Sequence, residues 1–81
     1  MRYFLEFVLQ QLVDHPDDID LRQIENPGGV TFQVSVHPDD IGRVIGKSGR
    51  TIAAIRGLLN AAASKTGDVR VTVQLFENSS S

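Results

Sequence analysis

Two glycines, Gly46 and Gly49, interrupt a stretch whose apolar residues have helical spacing on both sides. Glycine at 46 can adopt the left-handed backbone conformation that ends a helix, and glycine at 49 lets the backbone approach a ligand closely. Lys47 and Ser48 lie between them, and Arg50 follows. The spacing predicts a tight helix-loop-helix in which Lys47, Arg50 and the first amides of the second helix form a site suited to phosphate.

Hydrophobic periodicity predicts helices and strands along the rest of the chain. The expected order is helix, strand, strand, helix, helix, strand, at residues 2–13, 19–25, 30–36, about 39–45, about 50–64 and 69–76. The turn signal Asn26-Pro27-Gly28-Gly29 predicts that the first two strands pair as an antiparallel hairpin. At 81 residues the chain has room for a single core, so we expect one domain at 1–77 and a flexible polar tail at 78–81.

The strand pattern at 19–25 is weak. Ile19 and Leu21 lie on one face, and Ile24 is out of phase with them. This pattern predicts an edge strand with an irregularity.

The string His-Pro-Asp-Asp-Ile occurs twice, at 15–19 and at 37–41. A strand pattern follows the first copy and a helix pattern follows the second, so we interpret the repeat as two similar breakers rather than as a duplication. The chain has no cysteine, and His15 and His37 each precede a proline without forming a recognisable ligand set. We therefore predict neither a metal nor a cofactor.

The long helix carries two apolar rows. Its inward row is expected to contain Ile52, Ile55, Leu59 and Ala62, and its outer face carries Ala54, Leu58 and Ala61. One helix cannot easily bury both rows in so small a domain, so the outer row predicts a homodimer through this helix. The alternative is that the first helix covers the outer row within the monomer.

Basic charge is concentrated in one segment. The formal net charge is -2, but residues 1–40 hold eight acids against two arginines, whereas residues 41–67 hold five basic residues and no acid. This distribution predicts a focused anion site. Near the N-terminus Glu6 breaks the apolar run before it reaches the length of a signal peptide or membrane span. We therefore expect a cytoplasmic location and no membrane insertion.

Enzymatic chemistry is not indicated. No carboxylate pair or nucleophile-base set stands out. A nucleotide-binding Walker A loop needs four residues between its glycines before Lys-Ser, and the run from Gly42 to Ser48 supplies three.

The glycine loop resembles the core motif of KH domains, in which an apolar pair precedes Gly-x-x-Gly and another apolar residue follows three positions later. Here the run is Val44-Ile45-Gly46-Lys47-Ser48-Gly49-Arg50-Thr51-Ile52. The predicted element order is that of the type II, prokaryotic KH arrangement. The resemblance implies an α+β fold of the type II KH class, with a three-stranded sheet covered on one face by helices.

The resemblance also implies which residues contact RNA. Known KH domains clamp the backbone of about four nucleotides with this loop while the bases lie in an adjoining apolar groove. The implied RNA-binding residues are Gly46, Lys47, Ser48, Gly49, Arg50, Arg43, Ile45, Val44 and Ile52. For Arg43 a solvated surface position is an equal alternative, and the apolar members belong to the core by default. The aromatic residues lie away from the loop in sequence, so base stacking on aromatic rings is not expected to dominate.

More narrowly, the chain is similar to the small single-KH RNA-binding proteins of Gram-positive bacteria, through the run from Gly42 to Thr51 and the later Ala61-Ala62-Ala63. Membership would imply a single-stranded RNA-binding protein that acts as a post-transcriptional regulator or RNA chaperone. The alternative that the family implies is a protein-protein adaptor. In that role the chain would self-associate and pair with a larger KH protein of the Jag type in the control of cell division and envelope growth.

Overall fold

The computed structural model describes residues 2–65, 67 and 69–78. Its helices and strands follow in the predicted order, as α1 (Arg2–Leu12), β1 (Asp20–Asn26), β2 (Gly29–Val36), α2 (Ile41–Ile45), α3 (Arg50–Ser64) and β3 (Arg70–Glu77). Single turns of 3-10 helix lie at Pro16–Asp18, Pro38–Asp40 and Lys47–Gly49. The predicted α+β class is therefore confirmed.

The predicted tail falls almost wholly outside the described residues. Residues 79–81 are not described, and Asn78 still pairs with the sheet, since its backbone N–H donates to the carbonyl of Val36 at 2.8 Å. Within the described part of the chain, no helix combines the length and the apolarity that a membrane span requires.

The three strands form one sheet in the order β1-β2-β3. β1 and β2 are antiparallel, as predicted, and Pro27 and Gly28 make the turn between them, with Gly28 at a φ of +83°. β2 and β3 are parallel, so the chain must cross over between them, and α2 and α3 provide that crossover.

β1 is an edge strand, but the predicted irregularity is wrong. Its register with β2 is unbroken from Asp20 opposite Ser35 to Asn26 opposite Gly29. Ile24 is out of phase because its side chain lies on the face of the sheet that the helices leave uncovered, where it is 40% exposed. An edge strand tolerates this exposure because only one of its faces is packed.

The helices pack on the other face of the sheet and form a single core with it. The buried residues come from every helix and strand: Leu5, Leu9, Val13, Leu21, Phe32, Val34, Val36, Val44, Ile55, Leu59, Ala63, Val71 and Val73. On α3 the inward row continues in steps of four from Ile55 through Leu59 to Ala63. The prediction that Ala62 belongs to this row is therefore wrong, since Ala62 is exposed.

The outer row of α3 is not covered by α1. Leu58 is 56% exposed, and Ala54 and Ala61 are exposed beside it. α1 instead buries Leu5 and Leu9 against the core. The alternative that α1 covers this row within the monomer is therefore wrong.

The two His-Pro-Asp-Asp-Ile strings each form a one-turn 3-10 helix, and they contact each other through a buried carboxylate. Asp40 accepts the backbone N–H groups of Asp14 and His15, each at 3.0 Å, and the His15 ring lies 3.0 Å away through Nδ1. Burial alone would raise the pKa of Asp40, but the donors from Asp14 and His15 outweigh burial and hold the pKa below its ordinary value. The carboxylate therefore fixes the start of α2 to the segment after α1.

The structure brings together side chains that the sequence spacing did not connect. His15, His37 and Asp39 each have a ligand atom within 4.8 Å of the others, and the two rings stack with centroids 4.0 Å apart. Nδ1 of His15 contacts Asp40, and Nδ1 of His37 accepts the backbone N–H of Asp39 at 3.0 Å. The His15–Asp40 contact and the ring stacking thus join the two turns, and the bond from Asp39 to His37 lies within the second turn.

Candidate nucleic-acid interface

The loop between α2 and α3 is a tight helix-loop-helix, as predicted. α2 ends when Gly46 takes a φ of 77° and a ψ of 175°, and its N–H donates to the carbonyl of Gly42 at 2.9 Å. One 3-10 turn, Lys47–Gly49, then leads directly into α3 at Arg50. The whole reversal of the chain is completed within this short segment.

Gly46 is required by both its conformation and its surroundings. A Cβ at this position would lie 2.1 Å from Oγ1 of Thr51 and 2.9 Å from its backbone nitrogen. Gly49 also has a positive φ, 74°, but a Cβ there would meet open space. Thr51 therefore leaves no room for a side chain at position 46, and no local feature of the sequence indicated this contact.

The tip of the loop presents Lys47 and Ser48 to solvent. Both residues are exposed, and Ser48 has a φ of 57°, which places a non-glycine residue in the left-handed region. Residues in this region carry local strain that the surrounding structure must offset, and such residues cluster at functional sites.

Positive charge at this end of α3 is not neutralised by any acid in the described part of the chain. α3 has no acid in its first turn, and Gly49 provides no side chain to cap the first amides. Lys47 and Arg50 are exposed, and neither forms an ion pair with an acid among the described residues. The helix dipole and two exposed cations together favour an anion at this end of α3.

Two of the predicted contact residues serve other contacts. Arg43 places Nη2 2.8 Å from Oδ2 of Asp14 and Nε 3.5 Å from Oδ1 of Asp40, so acids of its own chain offset its charge. Val44 is fully buried, at 0% exposure, and its side chain anchors α2 to the core. The implied RNA contact by the Val44 side chain is therefore corrected to a core role, because that side chain does not reach the surface.

A groove of about 660 Å³ lies between the helices and the edge strand β3. This volume is within the usual range of ligand pockets, about 300 to 1,000 Å³. The groove contains Ile45 and Ile52 of the predicted set, and Ile45 is 37% exposed. Its full lining is Ile41, Ile45, Ile52, Arg56, Val73, Leu75, Phe76 and Glu77.

Several lining residues were missed by the sequence analysis. Arg56 follows Ile52 by four residues on one face of α3, and this spacing could have identified it. Phe76, which is 46% exposed, and Glu77 border the groove because β3 is the edge strand on that side. That position is determined only by the parallel pairing of β3 with β2, and the local sequence pattern does not predict this pairing.

The α+β architecture, with two helices joined by Gly-x-x-Gly beside an edge strand, defines a protein of the KH-domain class. A family model described as the KH domain of KhpA/KhpB matches residues 2–75. The chain belongs to this family, and the predicted resemblance to small bacterial single-KH RNA-binding proteins is confirmed.

Relatives in several bacteria extend over most of the chain. The "RNA-binding protein KhpA" of Chlamydia pneumoniae is 39% identical over 77 residues, which cover 95% of this chain and 97% of that protein. The protein of the same name in Halalkalibacterium halodurans is 45% identical over 65 residues, covering 80% and 86%. That of Listeria monocytogenes is 40% identical over 70 residues, covering 86% and 91%.

Proposed function

We propose that this chain binds single-stranded RNA, with the loop Gly46–Gly49 holding the phosphate backbone and the adjoining groove receiving the bases. One observation carries the proposal. The exposed Lys47 and Ser48 and the uncapped start of α3 lie beside an apolar groove of about 660 Å³ that contains Ile45 and Ile52. The relatives named above are called RNA-binding proteins, which agrees with this use of the site.

The charges around the groove favour one orientation of the strand. Lys47 and Arg50 lie at the loop end of α3, and Glu77 lines the opposite wall on β3. Phosphates are attracted to the loop side and repelled by Glu77, whose carboxylate accepts hydrogen bonds from base amino groups. The bases therefore face β3, and apolar contacts with Ile45 and Ile52 confer only a modest sequence preference.

We propose a role for this binding in the cytoplasm, as a post-transcriptional regulator or RNA chaperone rather than as an enzyme. A groove that accepts bases holds the bound segment unpaired, because a base in the groove cannot also be stacked in a duplex. Broad grip on the backbone combined with weak base selection suits a protein that acts on many RNAs.

The loop assignment is tested by replacing Lys47 and Ser48 with aspartate. Both side chains are exposed, so the double variant should fold and melt as the wild type does. Its affinity for single-stranded RNA should be lost, because two carboxylates repel the phosphate. Circular dichroism measures folding and melting, and fluorescence anisotropy measures the affinity for RNA.

A matched control separates local from overall charge. Lys65→Asp changes the net charge as Lys47→Asp does, but at the opposite end of α3. Lys47→Asp should weaken binding strongly, and Lys65→Asp should leave it nearly unchanged. Equal effects of the two variants, or unchanged binding by the folded double variant, would show that the loop is not the binding site.

A second candidate function is a protein-protein adaptor, and the exposed outer row of α3 favours it. Leu58 is 56% exposed between the small residues Ala54 and Ala61, which allow a second helix to approach closely. We propose that this row forms a homodimer and can dock a larger KH protein of the Jag type. The complex would act in the control of cell shape, cell division and envelope growth.

Sedimentation across micromolar concentrations tests the homodimer. The wild type should dimerise, and Leu58→Glu should remain monomeric because a charge would be buried at the interface. Phe7→Glu is the control, since Phe7 is a similarly exposed apolar residue, at 61%, on a different helix. A monomeric wild type, or equal dimerisation by Leu58→Glu, would exclude this interface.

A further inference from the structure

The crevice between α3 and β3 continues past the groove into a polar pocket of about 360 Å³. Arg56 lines both the groove and this pocket. The other lining residues are Asn60, Arg70, Val71 and Thr72. A strand lying in the groove can therefore continue into the pocket without leaving the surface of the protein.

Asn60 closes the floor of the pocket. Its side-chain nitrogen donates to the carbonyl of Val71 at 3.0 Å, and its side-chain oxygen accepts the backbone N–H of Val71 at 2.9 Å. Both ends of the amide are thus engaged with the edge of β3. The charged residues that line the pocket are Arg56 and Arg70.

The arginines of this chain fall into two groups. Arg2, Arg22 and Arg43 each form an ion pair with a neighbouring acid. The other three form no such pair among the described residues. Arg56 and Arg70 line the crevice, and Arg50 lies in the first turn of α3. In a chain whose acids outnumber its basic residues, the polar pocket thus holds two arginines that no described acid pairs with.

The crevice is long enough to follow a strand away from the loop. Ile52, Arg56 and Asn60 succeed one another in steps of four on one face of α3. Asn60 lies eleven residues after Gly49, or about 16 Å along the helix axis at about 1.5 Å per residue. β3 starts beside Asn60 and ends beside the groove, so Arg70 marks the far end of the crevice.

We propose that the pocket of Arg56, Asn60 and Arg70 is a second phosphate subsite, for RNA that extends beyond the groove. The proposal rests on the proposed RNA-binding function and adds a longer footprint to it. Arg56 and Arg70 supply planar, permanently charged donors suited to a phosphodiester group. The loop would hold the strand at one end of the crevice, and the arginine pair would hold it at the other.

The test compares a tetranucleotide with a decanucleotide of the same base, by fluorescence anisotropy. The wild type should bind the decanucleotide more tightly. Arg70→Ala should weaken decanucleotide binding about fivefold, the upper range for an exposed ion pair, and leave the tetranucleotide affinity unchanged. The log-log salt slope for the decanucleotide should fall by about 0.7, the value for one lost phosphate contact on a single strand.

Arg22→Ala is the matched control, because it removes one positive charge from the other edge strand, where Arg22 is already paired with Asp20. It should bind both RNAs as the wild type does. Equal weakening by Arg22→Ala and Arg70→Ala would assign the effect to net charge and overturn the subsite. Unchanged decanucleotide binding by a folded Arg70→Ala, or equal loss for both RNA lengths, would overturn it as well.

Failure of the subsite and failure of the proposed function give different results. If the loop is not the binding site, Lys47→Asp with Ser48→Asp retains tetranucleotide affinity. If only the subsite is wrong, that double variant loses tetranucleotide binding while Arg70→Ala has no length-dependent effect. A wild type that binds neither RNA removes both proposals.

Discussion

The same five residues, His-Pro-Asp-Asp-Ile, occupy two places in this molecule with different results. At 15–19 the string leads into β1, and at 37–41 it leads into α2. Both copies make one 3-10 turn that starts at the proline. Their last aspartates differ completely, because Asp18 is exposed whereas Asp40 is fully buried and accepts hydrogen bonds.

The difference arises because one copy lies against the other. The backbone groups that donate to Asp40 belong to Asp14, just before the first copy, and to His15, its first residue. The rings of His15 and His37 also stack. No equivalent segment donates to the Asp18 side chain among the described residues. The five-residue string therefore specifies the 3-10 turn. Whether its last carboxylate accepts hydrogen bonds depends on the segment that packs against the turn.

The largest expected effect is that of removing Asp40. Asp40→Ala leaves the N–H groups of Asp14 and His15 without their acceptor, so the melting temperature should fall by roughly 10 °C or more. Asp18→Ala, at the equivalent position of the other copy, should stay within about 2 °C of the wild type. Thermal melts followed by circular dichroism compare the two. Similar melting temperatures for both variants would mean that the two copies are equivalent after all.

The second expected effect is on the response to acid. Burial acts to raise the pKa of Asp40, but the donors from Asp14 and His15 outweigh it, so the folded pKa is below the ordinary value of 3.8. The unfolded chain therefore takes up this proton first. The stabilisation is complete above about pH 5 and is lost as the pH falls through the unfolded pKa, near 4, towards the folded pKa.

Melts of the wild type and Asp40→Asn between about pH 6 and pH 3 measure this response. The gap between them should narrow as the pH falls, since only the wild type loses the carboxylate. His15 and Arg43 also face Asp40 and are unchanged in both proteins. A constant gap for Asp40→Asn would show that this carboxylate is not stabilised by its donors.

The smallest expected effect separates the two histidines. His15→Ala removes the ring contact with Asp40 and should lower the melting temperature by about 5 °C, the equivalent of one hydrogen bond in a small domain. His37→Ala removes a bond to the exposed backbone N–H of Asp39 and should cost less. Both variants lose the ring stacking, so the difference between their melting temperatures compares the His15–Asp40 contact with the Asp39–His37 bond. A larger fall in melting temperature for His37→Ala than for His15→Ala would show that the ring of His37 stabilises the fold more than the ring of His15 does.

Local patterns predicted the order of the elements and the glycine loop, because periodicity and backbone conformation are properties of short segments. The strands at 30–36 and 69–76 and the helix at 50–64 lie within one or two residues of the observed bounds. The same patterns failed wherever a distant segment decided the outcome. Arg43 is paired with Asp14, twenty-nine positions earlier in the chain, and neither residue lies within a pattern that marks the other.

The candidate site divides in the same way. The loop residues were predicted from the two glycines together with their apolar flanks and Lys47, whereas Arg70 and Phe76 line the crevice only because β3 pairs with β2 as the edge of the sheet. Parallel pairing joins residues about forty positions apart in the chain, such as Phe32 and Val73. Helical or strand periodicity carries no information at that range.

The amide of Asn60 has a consequence for how this protein behaves in a crowded cell. An edge strand offers its outer N–H and C=O groups to any extended chain, and this is a route to aggregation. At Val71 the Asn60 side chain occupies both groups, much as a neighbouring strand would. A foreign strand therefore cannot pair along the whole of β3. The Asn60 side chain thus protects one position of this edge from strand addition.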